Sequence, residues 1–151
     1  MSYKLGTRSL QKLEGVNPDL VAVVERAIEL SKQDFSVICG LRTVKEQEAL
    51  VAKGASQTMK SKHLEGNAVD LAAYEDGSGI RWELNLYDEI ADAMLKAAKE
   101  LGVTLRWGAA WHKNLNDWNG TAEDLMNEYI DIRRSQGKRP FIDAPHFQVE
   151  D

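Results

Sequence analysis

Three residues have the types and spacing to hold a metal ion. His63 lies in S-K-H-L-E-G-N-A-V-D, a polar loop that turns at Gly66 into a run carrying Asp70, and His146 lies near the end in D-A-P-H-F-Q-V-E. Period two along A-V-D-L-A-A-Y puts Ala68, Asp70 and Ala72 on one face and Val69, Leu71 and Ala73 on the other. Asp70 interrupts an apolar run, where a lone carboxylate is costly unless neutralised or paired. Ala68 and Ala72 are small and leave room beside it. In the last segment, alternation sets His146, Gln148 and Glu150 on one face against Phe147 and Val149, which turns the imidazole to the polar side of a strand. Two histidines and one carboxylate are a standard set for catalytic zinc, with the fourth position left to water. The same set accepts cobalt or manganese. Asp143 stands three residues before His146, ahead of the stiff Ala144-Pro145 step, and is placed to act as a general base without being a ligand. Spacing alone leaves open the alternative that both histidines are merely hydrogen-bonded.

Other chemistry-bearing residues read differently. His112, in A-W-H-K-N, has no partner at a meaningful spacing and is set aside as a ligand. Ser56 and Ser61 lack the base that a serine nucleophile needs. Cys39 reads as a small buried hydrophobe beside Val37 and Ile38. Trp107 is expected in the core at a strand end, while Trp111 and Trp118 are divided between core and substrate groove. Arg133, Arg134, Lys138 and Arg139 read as a solvated helix end.

The elements that must position these residues follow from pattern. Asn17 is an N-cap with Pro18 at the first helical position, and Leu20, Val23, Val24, Ala27 and Ile28 form one apolar helical face. Phe35 to Cys39 is a short strand. Thr43 opens a capping box with Glu46, leading a helix that stops at Gly54 and leaving Arg42 in the turn before it. Residues 55–66 read as polar and irregular, Ala68 to Tyr74 as a strand, and Asp76-Gly77-Ser78-Gly79 as a turn. Helical spacing runs from Leu86 to Leu101, V-T-L-R-W forms a strand, and Trp107 to Gly120 reads as an exposed loop. Thr121, with Glu123 and Asp124, caps a helix to about Arg134, and a last strand lies around His146. The fold class expected is α+β, with helices packed on a small, mostly antiparallel sheet and the metal site at the sheet edge.

Composition bounds the rest. At 151 residues and 43% hydrophobic, a single domain over residues 1–151 is expected. A net charge of −5 with scattered lysines and arginines argues against nucleic-acid binding, which needs a basic stripe. One cysteine allows no internal disulfide. The opening residues lack a signal-peptide apolar stretch and no window is apolar enough for a membrane span, so the expectation is a soluble protein that stays where it is made.

S-K-H-L-E-G-N-A-V-D resembles the S-x-H-x-x-G-x-A-x-D motif of the D-alanyl-D-alanine carboxypeptidase and dipeptidase superfamily of zinc peptidases, and D-A-P-H-F-Q resembles its second motif. With M-S-Y-K-L-G-T-R-S-L, G-L-R-T and L-R-W-G-A-A-W, the chain is most similar to bacteriophage endolysins that act as L-alanyl-D-glutamate endopeptidases. The resemblance implies zinc on His63, Asp70 and His146, Asp143 as catalytic base, and Arg42 as the group that polarises the scissile carbonyl. The carboxypeptidase branch commonly carries glutamate at the base position and Trp or Tyr after the second histidine. Asp143 and Phe147 depart from that and favour the endolysin branch. The rival readings are a carboxypeptidase releasing D-alanine and, more distantly, a non-catalytic wall-binding domain. Further implications are a peptidoglycan stem peptide as substrate, a monomer, synthesis in the host bacterial cytoplasm, and access to the wall through a holin-type membrane protein that permeabilises the membrane, ending in host lysis.

Overall fold

The computed structural model describes residues 3–56 and 61–150. Met1 and Ser2 of the opening motif, and residues 57–60 within the polar stretch 55–66, fall outside it. Five α-helices and five strands are present among the described residues: α1 Thr7–Lys12, α2 Pro18–Leu30, β1 Phe35–Cys39, α3 Val44–Ala52, β2 Ala68–Glu75, β3 Gly79–Arg81, α4 Leu84–Leu101, β4 Leu105–Trp107, α5 Ala122–Ser135 and β5 His146–Val149. Every strand pairing is antiparallel, in the order β1-β2-β5-β4, with β3 pairing the far half of β2.

Local chemistry builds the helices where the sequence places them. The Asn17 side chain accepts from the Asp19 N–H at the start of α2, and the five predicted apolar positions of that helix are all buried. Thr43 and Glu46 complete both bonds of their capping box at α3, and the Thr121 hydroxyl accepts from the Asp124 N–H at α5. α4 ends at Gly102, which adopts the left-handed conformation usual after a helix. It packs on α2, α5 and the sheet, burying Ile90, Met94, Ala97 and Ala98 completely. At roughly 1.5–3 kcal/mol for each large apolar side chain, that burial makes α4 the spine of the core.

Three sequence expectations change. Residues 107–120 are not an exposed loop: Trp107, Ala109, Ala110 and Leu115 have no solvent exposure, and the Trp107 indole N–H donates to the Ala144 carbonyl at 2.7 Å. The polar stretch holds a 3-10 helix, Lys62–Glu65, capped by Ser61. β3 and the six-residue α1 carry no pattern strong enough to be read; α1 has no side-chain cap and leaves Leu10 half exposed.

Two glycines make the site's geometry possible. Gly66 has φ +72°, and a Cβ there would sit 2.6 Å from the Gly15 carbonyl, so only glycine can turn the His63 segment into β2. Gly108 presses against the Asp143–His146 turn, where a Cβ would fall 2.2 Å from the Asp143 carbonyl.

Candidate metal centre

Sheet register assembles the centre. His146, at the start of β5, pairs directly with Asp70 of β2. On the other side, the β1–β2 register slips by one residue between Val37 and Cys39, so Cys39, and not Ile38, lies opposite Asp70. The irregularity has the character of a β-bulge, which re-aims a side chain beside a site. Cys39, Asp70 and His146 therefore form a row across three strands. His63 joins them from the 3-10 helix, its backbone carbonyl accepting from the Arg42 N–H at 2.9 Å.

Each imidazole turns one ring nitrogen inward, Nε2 of His63 and Nδ1 of His146. His63 Nδ1 donates to the Gly40 carbonyl at 2.9 Å, which leaves Nε2 facing Asp70 Oδ1 at 3.3 Å. His146 Nε2 donates to Gln148 Oε1 at 2.8 Å, which leaves Nδ1 facing the same oxygen, also at 3.3 Å. The Gln148 amide nitrogen donates to Glu150, so that orientation is held. Neutral imidazoles so tethered present lone pairs to a carboxylate, three acceptors without a donor among them. A proton or a metal cation must lie between. The 3.3 Å spacing is longer than the ~2.7–2.9 Å of a charge-assisted hydrogen bond and matches the ~3.3 Å edge of a tetrahedron with bonds of about 2.0–2.1 Å.

Without metal, protons fill the role. Burial opposes the His63 cation, yet the Asp70 and Cys39 contacts outweigh it and push its pKa up to about 10. Burial likewise opposes the Asp70 anion, but hydrogen bonds from His146 and His63 hold its carboxyl below the usual range. Asp143 is shifted the other way, raised by burial and by the charge of Asp70.

The donor atoms fall into two sets, each within 4.8 Å: Cys39, His63 and Asp70, and Asp70, Asp143 and His146. Asp70 belongs to both, so the trio read from sequence is divided between sets that share its carboxylate. Cys39 Sγ lies 3.6 Å from His63 Nδ1, the nitrogen turned away from Asp70 and already on Gly40, so one His63 lone pair cannot serve both Cys39 and Asp70. Cys39 was expected as a bland core residue and instead borders the centre, a consequence of the register slip. It also accepts from Arg42 Nη2 at 3.2 Å.

A groove of about 980 Å³ opens on this centre, lined by Arg42, His63, Asp70, Asp143, His146 and Gln148, with Trp111 and Phe141 on one wall. Trp111 stacks on Phe141 and tilts against the His146 ring at 5.5 Å. His112 stays outside, bonded to Glu128 at 2.8 Å and stacked on Tyr129. Trp118 is likewise elsewhere, its indole N–H on the Thr121 carbonyl.

A family model for phage L-alanyl-D-glutamate peptidases matches residues 1–149. The chain belongs to the phage L-alanyl-D-glutamate peptidase family. Within it, the chain is 41% identical over 116 residues to the L-alanyl-D-glutamate peptidase of Escherichia phage T5, covering 74% of this chain and 84% of that one. A Listeria phage L-alanyl-D-glutamate peptidase is 31% identical over 108 residues, 70% of this chain and 37% of that longer one. The crystal structure of the Serratia marcescens L-Ala D-Glu endopeptidase ChiX matches with a TM-score of 0.72 and 34% identity over 99% of this chain and 91% of that one.

Proposed function

We propose that this peptidase hydrolyses the bond between L-alanine and D-glutamate in the peptidoglycan stem peptide, using zinc held by His63 Nε2, Asp70 and His146 Nδ1. The observation that carries the proposal is the Asp70 carboxylate facing two tethered imidazole lone pairs at equal distance. When bound, zinc supplies Lewis acidity, polarising a carbonyl and bringing the pKa of water toward ~7.

The chain's own residues supply the rest. Asp143, in the groove beside the centre and with its proton affinity raised, takes the proton from attacking water and returns it to the leaving amine. Arg42 lies on the same groove with Nη2 3.9 Å from Asp70 Oδ2, where its charge stabilises the oxyanion that develops on the scissile carbonyl. Trp111 and Phe141 give the peptide an apolar wall. Gly40 and Gln148 hold the imidazoles in the tautomers that metal binding needs.

The chain works as one domain over residues 1–151 and as a monomer. No helix among the described residues is long and apolar enough to cross a membrane. Delivery from the cytoplasm of the infected host to the wall then requires a holin-type partner to open the membrane.

The test is a metal assay followed by digestion of purified wall. Stoichiometric zinc, with new glutamate N-termini, is the expected result. Release of free D-alanine instead would make the chain a carboxypeptidase. Clearing that survives His63→Ala with zinc content unchanged would remove the site assignment altogether.

A further inference from the structure

α3 has an inverted pattern. It exposes Val44 and leaves Val51 at the surface, while its one fully buried side chain is Gln47, a polar residue. That amide lies behind the groove wall, bonded to two residues that line it, Arg42 and Ser56. Gln47 Oε1 accepts from Arg42 Nη1 at 2.7 Å, and Gln47 Nε2 donates to Ser56 Oγ at 2.8 Å. Arginine has no acceptor, so the amide can present only its oxygen to Arg42.

Arg42 also faces a carboxylate. An unrestrained guanidinium beside Asp70 should close into a two-pronged contact of ~2.7–2.9 Å, the preferred geometry of such pairs. It stops at 3.9 Å, with Nη1 on Gln47 and Nη2 on Cys39. We infer that Gln47 is a positioning residue that holds the Arg42 guanidinium off Asp70, leaving the carboxylate to the metal and the cation to the substrate carbonyl. Without the amide oxygen, Arg42 swings onto Asp70, where it competes with the metal for the carboxylate and withdraws from the groove. The inference rests on the placement of zinc and Arg42 proposed above.

The test measures zinc affinity and steady-state kinetics for Gln47→Met, Gln47→Glu, Arg42→Ala and the Gln47→Met/Arg42→Ala double variant, with thermal unfolding recorded for each. Gln47→Met is expected to lower kcat at least ~10-fold with KM changed by less than ~3-fold, and to weaken zinc binding at least ~5-fold. Gln47→Glu keeps the acceptor and restores most of both. In the Arg42→Ala background Gln47→Met changes neither quantity, since no guanidinium is left to move. Equal losses from Gln47→Met with and without Arg42 would overturn the inference, as would a Gln47→Glu variant that folds yet binds zinc weakly. Should Gln47→Met fail to fold, the Gln47→Glu result still decides. An unchanged kcat in Arg42→Ala itself would overturn the role proposed for Arg42, and the inference with it.

Discussion

His63 Nε2 stands 3.3 Å from Asp70 Oδ1 with its other nitrogen committed to the Gly40 carbonyl, so the pair can hold either one proton or one metal ion. In the metal-free protein the proton stabilises the fold. The His63 pKa is raised from 6.5 to about 10, so this contribution is complete below pH 6.5 and is lost as pH rises through about 10. Asp70 adds stability that is present above its ordinary value of 3.8 and is lost only as pH falls through its depressed one. Zinc bound as proposed above would displace the His63 proton. Its affinity should therefore rise about tenfold per pH unit between those His63 limits, and the melting-temperature gap between loaded and metal-free protein should widen with pH. Competition titrations against a chelator check this, and a pH-independent affinity would contradict it.

Asp143 separates binding from chemistry. It lies in the groove, but its backbone is what the structure uses: its N–H donates to the Gly108 carbonyl at 2.8 Å and its carbonyl accepts from the His146 N–H at 3.0 Å. Neither bond involves the carboxylate. Asp143→Asn should therefore leave zinc content and melting temperature near wild type while kcat falls by ~10²–10⁴. In the wild type, the acid-side fall of kcat/KM should lie higher in pH than an unperturbed aspartate would give, because burial and Asp70 raise the Asp143 pKa. Loss of zinc together with activity would show that Asp143 is a ligand instead.

The parts of this centre legible in sequence were those encoded locally. Asn17-Pro18, Thr43 with Glu46, and the alternations around Asp70 and His146 each state their own structure within a few residues. So the interruption of an apolar strand by Asp70 pointed correctly to a partner, and Gln148 could be placed on the face of His146. What stayed hidden depends on register between distant segments. That Cys39 lies opposite Asp70 follows from a one-residue slip in β1, which Phe35 to Cys39 does not announce. The buried Gln47 had a signal, a polar residue on the inward face of a helix with exposed valines, but only the packed structure shows which face is inward. Residues 107–120 misled for a related reason: their tryptophan and asparagine side chains satisfy the backbone, as when Asn116 accepts from the Leu105 N–H and donates to the Val103 carbonyl, so an aperiodic segment can be buried.

Away from the groove, Asp88 of α4 is a stability reserve. It is buried, its Oδ1 has no hydrogen-bond partner among the described residues, and burial together with the charges of Glu123, Asp92 and Glu89 raises its pKa to about 6. The folded state thus binds a proton that the unfolded chain has released, and stability falls as pH rises from 3.8 through about 6. Asp88→Asn should stabilise the protein at neutral pH by about 1 kcal/mol, after allowance for solvent screening, and do little near pH ~4. Denaturant midpoints at the two pH values test it; an equal effect at both would mean that ionisation is not the cause.

Phe141 exposes 62% of its surface while stacking on Trp111 with ring centroids 6.0 Å apart. A core role does not explain so exposed a ring, and Trp111 beneath it reaches His146, so the pair forms a wall running from the groove mouth to the metal centre. Contacts made at the mouth act on substrate and transition state alike, because no charge develops there. Phe141→Ala should then raise KM about 3–10-fold with kcat nearly unchanged, the pattern of lost uniform binding. Trp111 also packs on His146, a ligand in the proposed zinc site, so Trp111→Ala should lower kcat as well. Steady-state kinetics on a defined stem peptide distinguish the two, and a drop in kcat alone for Phe141→Ala would place that ring at the chemistry and not at the entrance.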